Sequence, residues 1–524
     1  MKSIKIFPLR KPVNTEITIT GSKSYTNRAL FLAAMTQNPV KIINPLLSDD
    51  TLTMIHCLQT LGVRINFRKD CIEVVSSIKD IKDREFELDA NLSGTTIRFI
   101  LPLLAIVPGI KILGGKEGLN KRPIKDLVDA LLILGAEIEY INREGYPPLR
   151  ISSSRLKSGT VTLNGSISSQ YLSAILMIAP LVGKVVIKAK GNQVSKPYVD
   201  MTIDTMKKFG VGVINKGYRK YIVPDGQVYK AWEYIVEGDF SSAGYFFAIA
   251  ALTKSILTVI NLNPKSVQAD MKFLKILEAM GSKIIYKKDR ITIIGRGVKP
   301  VSVDMQDCPD QIQTLGVLAA FANGVTKISG IESLRVKETD RVLAIRNELN
   351  KMGIKTSSAH DTLVIHGGNP KPAKIDTYGD HRMAMSFAVA GAKLSGMEIN
   401  DPDVVNKTFP NFWKKLNSIG IKTEITNSKN IVLIGMRGSG KTTVAKLLAK
   451  KLHKDYLELD DILVAKTGMT IPEIVEKHGW PYFRDRESEI AKEAAALKGK
   501  VISTGGGVIL RTDNVEALKK NGVV

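Results

Sequence analysis

The stretch LVDALLILGAEIEY, residues 127–140, reads as an amphipathic helix that stops at Gly135 and turns at once into a β-rich run. The glycine has a local cause: a helix that closes in the left-handed conformation needs a residue without Cβ before a strand can start. Any helix-to-strand joint shows this once. Here the pattern recurs, in HCLQTLGVRINF, IDTMKKFGVGVI, LKILEAMGSKIIY, RNELNKMGIKTS and FWKKLNSIGIKTEI. The six glycines are Gly62, Gly135, Gly210, Gly281, Gly353 and Gly420, at intervals of 73, 75, 71, 72 and 67 residues. Regular spacing of this kind marks one duplicated unit. Each period also has room for further strands and a second helix, as in VTLNGSISSQYLSAILMIAPL, so residues 1 to about 425 read as six α/β units.

A chain of 524 residues is too long for one hydrophobic core and suggests about three globular units. Lys and Arg outnumber Asp and Glu by 75 to 51, a net charge of +24, which favours phosphorylated or carboxylated partners. The basic residues are spread along the chain, with no dense basic tail and no interleaved aromatics, which argues against nucleic acid. Cys57, Cys71 and Cys308 share no CxxC spacing and read as buried small hydrophobes in a reducing compartment. MKSIKIFPLRKPV lacks the apolar core of a signal peptide and no run of about 18 apolar residues occurs, so no membrane is expected and the expected location is the cytoplasm.

Around residues 424 to 429 the polar TNSKN reads as a joint, and a new βα pattern starts at Ile431, out of phase with the repeats. NIVLIGMRGSGKTTVAKLLAKKL is a strand, a glycine-rich turn and a helix, and contains GxxxxGK[ST] as Gly435 through Thr442. Backbone N–H groups from Gly435, Gly438, Ser439, Gly440 and Thr443 would surround the phosphates of ATP. Lys441 would reach the β and γ groups, and the Thr442 hydroxyl would ligate Mg²⁺.

The residues after this helix resemble the shikimate kinases: LELDD, FRDRE and STGGG occur in that family's order. The resemblance implies that Asp460 and Arg484 hold shikimate and that Gly505, Gly506 and Gly507 shape the same pocket, with Glu458 where the family usually has aspartate near the metal. The family's lid arginine and a later substrate arginine would lie beyond Val524. Residues 430–524 are therefore expected to be a truncated kinase-like domain that binds nucleotide without efficient turnover, the alternative being a non-catalytic nucleotide-binding module.

In the repeat region, short stretches collect cationic and hydroxyl groups near element ends: GSKSYTNRAL at 21–30, LSGTTIRF at 92–99, NKRPIKDL at 120–127, SISSQYLSA at 166–174, VSKPY at 194–198, DFSSAGYF at 239–246, VKETDR at 336–341, YGDHRMAM at 378–385 and NKTFPNF at 406–412. Each alone reads equally well as a helix cap, and Thr26 in particular is expected to cap. Together, in this order, they resemble the enolpyruvyl transferases, specifically the 5-enolpyruvylshikimate-3-phosphate synthases, over about 425 residues. The resemblance implies an α/β fold of two similar domains, each of three βαβαββ units with helices packed inside. Residues 1–20 and 238–425 would form one domain and 21–237 the other.

The implied reaction moves the enolpyruvyl group of phosphoenolpyruvate to the 5-hydroxyl of shikimate 3-phosphate and releases phosphate, with no cofactor. Both substrates carry a carboxylate and a phosphate, so one cleft needs several guanidinium and ammonium groups. By resemblance, shikimate 3-phosphate would be held by Ser24, Arg28, Ser168, Ser169, Gln170, Ser195 and Tyr198, with Asp310 and Lys337 also against it. Phosphoenolpyruvate would meet Lys23, Gly94, Arg122, Gln170, Arg341, Arg382 and Lys407. A Cβ at Gly94 would intrude on that small substrate. Addition and elimination need a general acid and a general base. Asp310 is the candidate base toward the hydroxyl, Glu338 and Lys23 the candidates for proton transfer at the methylene carbon, and His381 a positioned hydrogen-bond donor.

Two departures stand out. Leu92 occupies a position that is asparagine in many members, with Asn91 next to it as a substitute, and Lys196 stands where glutamine is frequent. The sister enzyme acting on a UDP-linked N-acetylglucosamine is the alternative. It is disfavoured by Ser168-Ser169-Gln170, by Lys337 through Arg341, and by the lack of a cysteine in a corresponding mobile loop.

Overall fold

The computed structural model describes residues 2–153, 155–165, 168–191, 193, 195–426, 429–452 and 454–524. Ser166 and Ile167 of SISSQYLSA, Val194 of VSKPY, and Asn427 and Ser428 of the polar joint lie outside the described residues. The chain divides into two compact units, Ile6–Met397 with Asp403–Thr423, and Met1–Lys5 with Glu398–Pro402 and Glu424–Val524.

All six repeat glycines have positive φ, between +78° and +114°, as the left-handed helix closure requires. Each follows a helix and precedes a strand: Asp49–Thr60, Lys125–Ile133, Lys196–Lys208, Lys272–Ala279, Arg341–Lys351 and Phe412–Ser418 lead into Ile65–Phe67, Ile138–Tyr140, Ile214–Lys216, Lys283–Lys287, Lys355–Ser358 and Thr423–Thr426. The last strand reaches Thr426, so the joint expected from about residue 424 begins later. Alternating threonines with glutamate and isoleucine suit a strand despite their polarity.

The unit repeats faithfully. Gly159–Asn164 runs parallel to Val185–Lys190, which pairs antiparallel with Lys220–Val223, which in turn pairs antiparallel with Ile214–Lys216. With the helices Ser169–Val182 and Lys196–Lys208 between them, the chain order is βαβαββ. Phe86–Asp89 and Ser302–Asp304 open two more sheets of this pattern. Two sheets borrow their first strand from afar: Glu233–Ile235 pairs with Val40–Ile43, and Asn14–Thr18 with Ile256–Ile260. Just after each borrowed strand the chain passes a glycine, Gly21 and Gly238, and the two form an antiparallel bridge to each other. A Cβ on Gly21 would sit 2.0 Å from Asn44 O, and one on Gly238 1.9 Å from Asn261 O, so neither position admits a side chain.

In each period one helix is inner and one outer. Every residue of Ile312–Ala320 and of His381–Gly391 is buried, whereas Lys125–Ile133 and Lys196–Lys208 bury one face. The inner helices Lys23–Ala33, Gly94–Leu104 and Ser169–Val182 share one continuous core running from Tyr25 to Val236. This is the arrangement a duplicated unit needs, since a single sheet and helix pair cannot cover both its faces.

Most of Ser3–Ile6, Met397–Asn400 and Thr423–Thr426 falls in the other unit, with Ser3–Ile6 between the other two strands in one sheet. A second, all-parallel sheet has Asn430–Leu433 between Val501–Ser503 and Gly522–Val523, with Tyr456–Glu458 outside Val501–Ser503. Its core comprises Val432, Leu459, Leu463, Ile474, Phe483, Ile490 and Ile502. No helix among the described residues is long and apolar enough to cross a membrane.

Candidate active site

Two adjoining pockets open in the repeat region, both walled by helix N-termini. Lys23, Thr95, Arg98, Gln170, Asp310 and Lys337 line both. The first adds Ser24 and Arg28 from Lys23–Ala33, Ser168 and Ser169 from the start of Ser169–Val182, and Ser195 with Tyr198. The second adds Gly94, Arg122, Glu338, Arg341, His381 and Arg382. Lys407 joins through Glu338, its Nζ 2.9 Å from Oε1. The structure thus brings together the residues expected to meet the two substrates in the repeat region.

Helix capping and site building prove to be the same feature. Ser93 accepts from Thr96 N (3.3 Å), Ser168 from Gln170 N (3.2 Å), Asp340 from Leu343 N (3.0 Å) and Asp380 from Arg382 N (2.8 Å). Each cap starts a helix whose first turn faces the pockets, so the positive helix ends add to the side-chain cations. Thr26 is an exception to the capping expectation. It donates to Ser22 O (2.8 Å) and accepts from Leu46 N (3.0 Å), tying the helix to the next loop.

Charges in the second pocket are densely paired. Arg341, 2 % exposed, donates from Nε to Asp380 Oδ2 (2.7 Å), from Nη1 to Asp310 Oδ1 (3.2 Å) and from Nη2 to Glu338 Oε2 (2.9 Å). Asp310 Oδ2 also accepts from Arg382 Nη2 (2.6 Å) and the Tyr198 hydroxyl (3.1 Å). Burial pushes the Asp310 carboxyl up, but Arg382, Arg341, Lys337 and Lys23 outweigh it and hold the group well below the usual carboxylate range. Glu338 behaves alike, with Lys407, Arg341 and Arg122 overriding burial. Burial pulls the Lys337 ammonium down to about 8, with Arg341 and Arg98 adding to it and Asp310 opposing. His381 is held neutral by burial, then by Arg382 and Lys407. Both of its ring nitrogens lack a hydrogen-bond partner among the described residues, Nδ1 lying 3.5 Å from Asp380 Oδ1 without hydrogen-bond geometry.

Arg28 is buried and donates to Thr202 Oγ1 (2.8 Å), Ser24 O (2.9 Å) and Tyr198 O (3.0 Å). The protein therefore fixes the plane of this guanidinium before any anion arrives. At Gly94, which lines the second pocket, a Cβ would lie 2.9 Å from Arg122 Nη1 and 3.4 Å from Arg98 Nη1, so the glycine also makes room for two guanidiniums. Asn91 is not among the lining residues. Leu92 contributes its carbonyl, 3.4 Å from Lys407 Nζ. Lys196 lies over the Tyr218 ring at 5.5 Å.

Sequence reasoning missed Asp50, Arg98 and Asp380. Asp50 Oδ2 pairs with Lys23 Nζ at 3.0 Å, a partner 27 residues away with no local signal. Arg98 Nη1 donates to Gln170 Oε1 at 2.6 Å, and its place one turn after Gly94 was a readable clue.

In the C-terminal segment, Gly438 and Gly440 have φ of +78° and +81°, and nothing lies within 4 Å of a Cβ built on either. Lys441 Nζ donates to Gly435 O (2.9 Å) and Met436 O (2.8 Å), and Thr442 Oγ1 to Glu458 Oε2 (2.9 Å). A hydroxyl and a carboxylate at that distance suit a shared hard cation, and Glu458 fills the place expected of aspartate. Beside them, a Cβ on Gly505 would meet Asp460 Oδ1 at 2.6 Å and Glu487 Oε1 at 2.8 Å, and one on Gly507 would meet Arg484 Nη1 at 1.8 Å. Gly506 backs onto Arg437 N. Arg484 is held by Glu487 (2.6 Å), a buried acid that sequence reasoning did not assign. Burial, then Glu458 and Glu487, raises the Asp460 carboxyl.

Comparison with known proteins agrees with this geometry. The family model of EPSP synthase (3-phosphoshikimate 1-carboxyvinyltransferase) matches residues 9–416, and that of shikimate kinase residues 437–524. A 3-phosphoshikimate 1-carboxyvinyltransferase of Vibrio atlanticus is 40% identical over 432 residues, 80% of this chain and 100% of its own length. That of Sulfurovum sp. is 41% identical over 425 residues, 80% of this chain and 99% of its own. The solved EPSP synthase of Acinetobacter baumannii superposes with a TM-score of 0.70 at 24% identity over 81% of this chain and 100% of that one, a likeness of fold. The chain therefore belongs to the EPSP synthase family, and a domain of the shikimate kinase family comes after it on the same polypeptide.

Proposed function

We propose that the repeat region transfers the enolpyruvyl group of phosphoenolpyruvate to the 5-hydroxyl of shikimate 3-phosphate, releasing phosphate. The observation that carries this is the pair of adjoining pockets, in which Arg, Lys and helix N-termini face two carboxylates, Asp310 and Glu338. Shikimate 3-phosphate would take the first pocket, its phosphate on Ser168, Ser169, Gln170 and Ser195 and its carboxylate toward Arg28 and Tyr198, near Ser24 and Lys337. Phosphoenolpyruvate would take the second, against Lys23, Gly94, Arg122, Gln170, Arg341, Arg382 and Lys407.

Arg341 and Arg382 are paired with the protein's own carboxylates. Two polyanions entering the cleft compete for Arg341 and Arg382, and each contact they take weakens the hold on Asp310. Its proton affinity then rises toward what removal of the 5-hydroxyl proton requires. Glu338 and Lys23 serve the methylene carbon, and the free His381 nitrogens offer a hydrogen bond to the phosphate or the adduct. The reading divides the region into domains of residues 1–20 with 238–425 and 21–237, meeting at the Gly21–Gly238 bridge.

For the C-terminal segment we infer ATP and shikimate binding. The loop Gly435–Thr443 would hold the phosphates, Thr442 with Glu458 a magnesium ion, and Asp460, Arg484 and Gly505–Gly507 shikimate. A magnesium ion there would offset phosphate charge. The chain's own contribution is Lys441, which must leave Gly435 O and Met436 O to meet an anion.

The test is phosphate release from phosphoenolpyruvate with shikimate 3-phosphate against UDP-N-acetylglucosamine as acceptor. Product with the first acceptor alone is expected. Failure with both in a chain spanning residues 1–425 would leave a non-catalytic binding module.

A further inference from the structure

Asp310 sits on the three-residue turn Pro309–Gln311, and both flanks of that turn lead back to a single buried carboxylate, Asp270. On one side the Cys308 thiol donates to Asp270 Oδ1 at 3.3 Å. On the other, Gln311 Nε2 donates to the carbonyl of Ser241 at 3.0 Å, and the Ser241 hydroxyl donates to Asp270 Oδ2. The turn is thereby closed into a ring of ties: Cys308, Asp270, Ser241, Gln311. Gly244, one turn along the same helix as Ser241, keeps the space for Gln311, since a Cβ there would lie 2.4 Å from its Nε2.

We propose that Asp270 is a positioning residue for the transferase reaction, clamping the turn that presents Asp310 and placing a second negative charge behind it. The proposal rests on the reading of Asp310 as the base. Both oxygens of Asp270 accept from donors that cannot be satisfied by a neutral acid in the same way. A protonated Asp270 must turn one oxygen into a donor and set it against either the thiol or the hydroxyl. The groups facing it are Asp310, Arg382, Asp239 and Tyr198, with Lys272 beyond Cys308. Burial pushes the Asp270 carboxyl up to about 6, Asp310 adding to this and Arg382 opposing it. Loss of its charge therefore falls within a range that a pH–rate profile samples.

The test uses the full chain. In Asp270→Asn, kcat should fall about tenfold to a hundredfold, the cost of a misplacement of order 1 Å, with little change in either KM. The wild-type profile should lose activity on the acid side near pH 6, and the variant should lack that step because residue 270 no longer titrates. Cys308→Val should share the loss of kcat and Cys308→Ser, which keeps a donor, should not. An unchanged kcat and pH profile in Asp270→Asn overturns the proposal, as does equal activity of the two Cys308 variants. A readout independent of catalysis separates the two readings: alkylation of Cys308, located by peptide mapping, should quicken in Asp270→Ala. Full activity in Asp310→Asn would remove the base assignment while leaving the clamp standing if Cys308 still opens. Unchanged Cys308 protection would remove the clamp whatever Asp310 does.

Discussion

In the repeat region Arg341 puts each of its nitrogens on a carboxylate and is almost wholly buried, while in the C-terminal segment Lys441 donates to carbonyls of its own loop. Around the first stand the opening turns of the helices Gly94–Leu104, Arg341–Lys351 and His381–Gly391. Around the second, Val444 and Leu447 on the helix after the loop are 47 % and 64 % exposed. One site is pre-built, its cations fixed by internal anions that the substrates must partly displace. The other is more exposed, and among the described residues its chief cation donates to neutral acceptors that a phosphate outcompetes. The same need, binding polyanions, is met by tertiary charge pairing in one region and by backbone N–H groups of a short loop in the other.

The contrast yields graded expectations. Lys23→Met and Asp310→Asn should each lower transferase kcat by about 10²–10⁴-fold, the range for a general acid or base, with the melting temperature retained. Retained turnover would break the claim that the buried carboxylates work as more than counter-charges. Arg341→Met should cost the repeat region about 3–5 kcal/mol, because the buried Asp380 and the largely buried Asp310 and Glu338 lose a shared partner. Calorimetry would read this as a shift of that region's unfolding. The matching change Lys441→Ala should cost less than about 1 kcal/mol, only neutral acceptors being left behind, yet abolish binding of an ATP analogue. Comparable losses of stability would erase the distinction between the sites.

Finer effects arise at the glycines. Gly94→Ala should push Arg122 aside and raise KM for phosphoenolpyruvate about tenfold, equivalent to about 1.4 kcal/mol, with a smaller change for shikimate 3-phosphate. Equal changes in steady-state assays would locate Gly94 elsewhere in the mechanism. Gly507→Ala should displace Arg484 from Glu487 and weaken shikimate binding by a similar factor, measured by titration calorimetry, while transferase kinetics stay the same.

How readily each feature is read depends on its range along the chain. The helix–glycine–strand joints were legible because αL closure is a requirement of one residue on its neighbours, and all six took the predicted conformation. The phosphate loop was legible for the same reason. Ser24, Ser168 and Arg382 were legible through motif resemblance, although the stretch around each read equally well as a helix cap, and the structure makes the capped helix ends the walls of the site. Thr26 departs from its expected role because a hydroxyl near a helix start can bond backward to a carbonyl as easily as forward to an amide.

By itself, then, the sequence determined the duplicated unit, the phosphate loop and the inventory of cations, all of which depend on neighbours within a few turns. Only the tertiary structure decided how those cations are held. Lys23 finds Asp50, Arg341 finds Asp380, Arg484 finds Glu487 and Cys308 finds Asp270 through packing rather than through spacing in the chain. A charge brought out of water must meet an opposite charge or enough donors wherever the fold happens to place them. That condition acts on distances in space, which no local pattern of residues records.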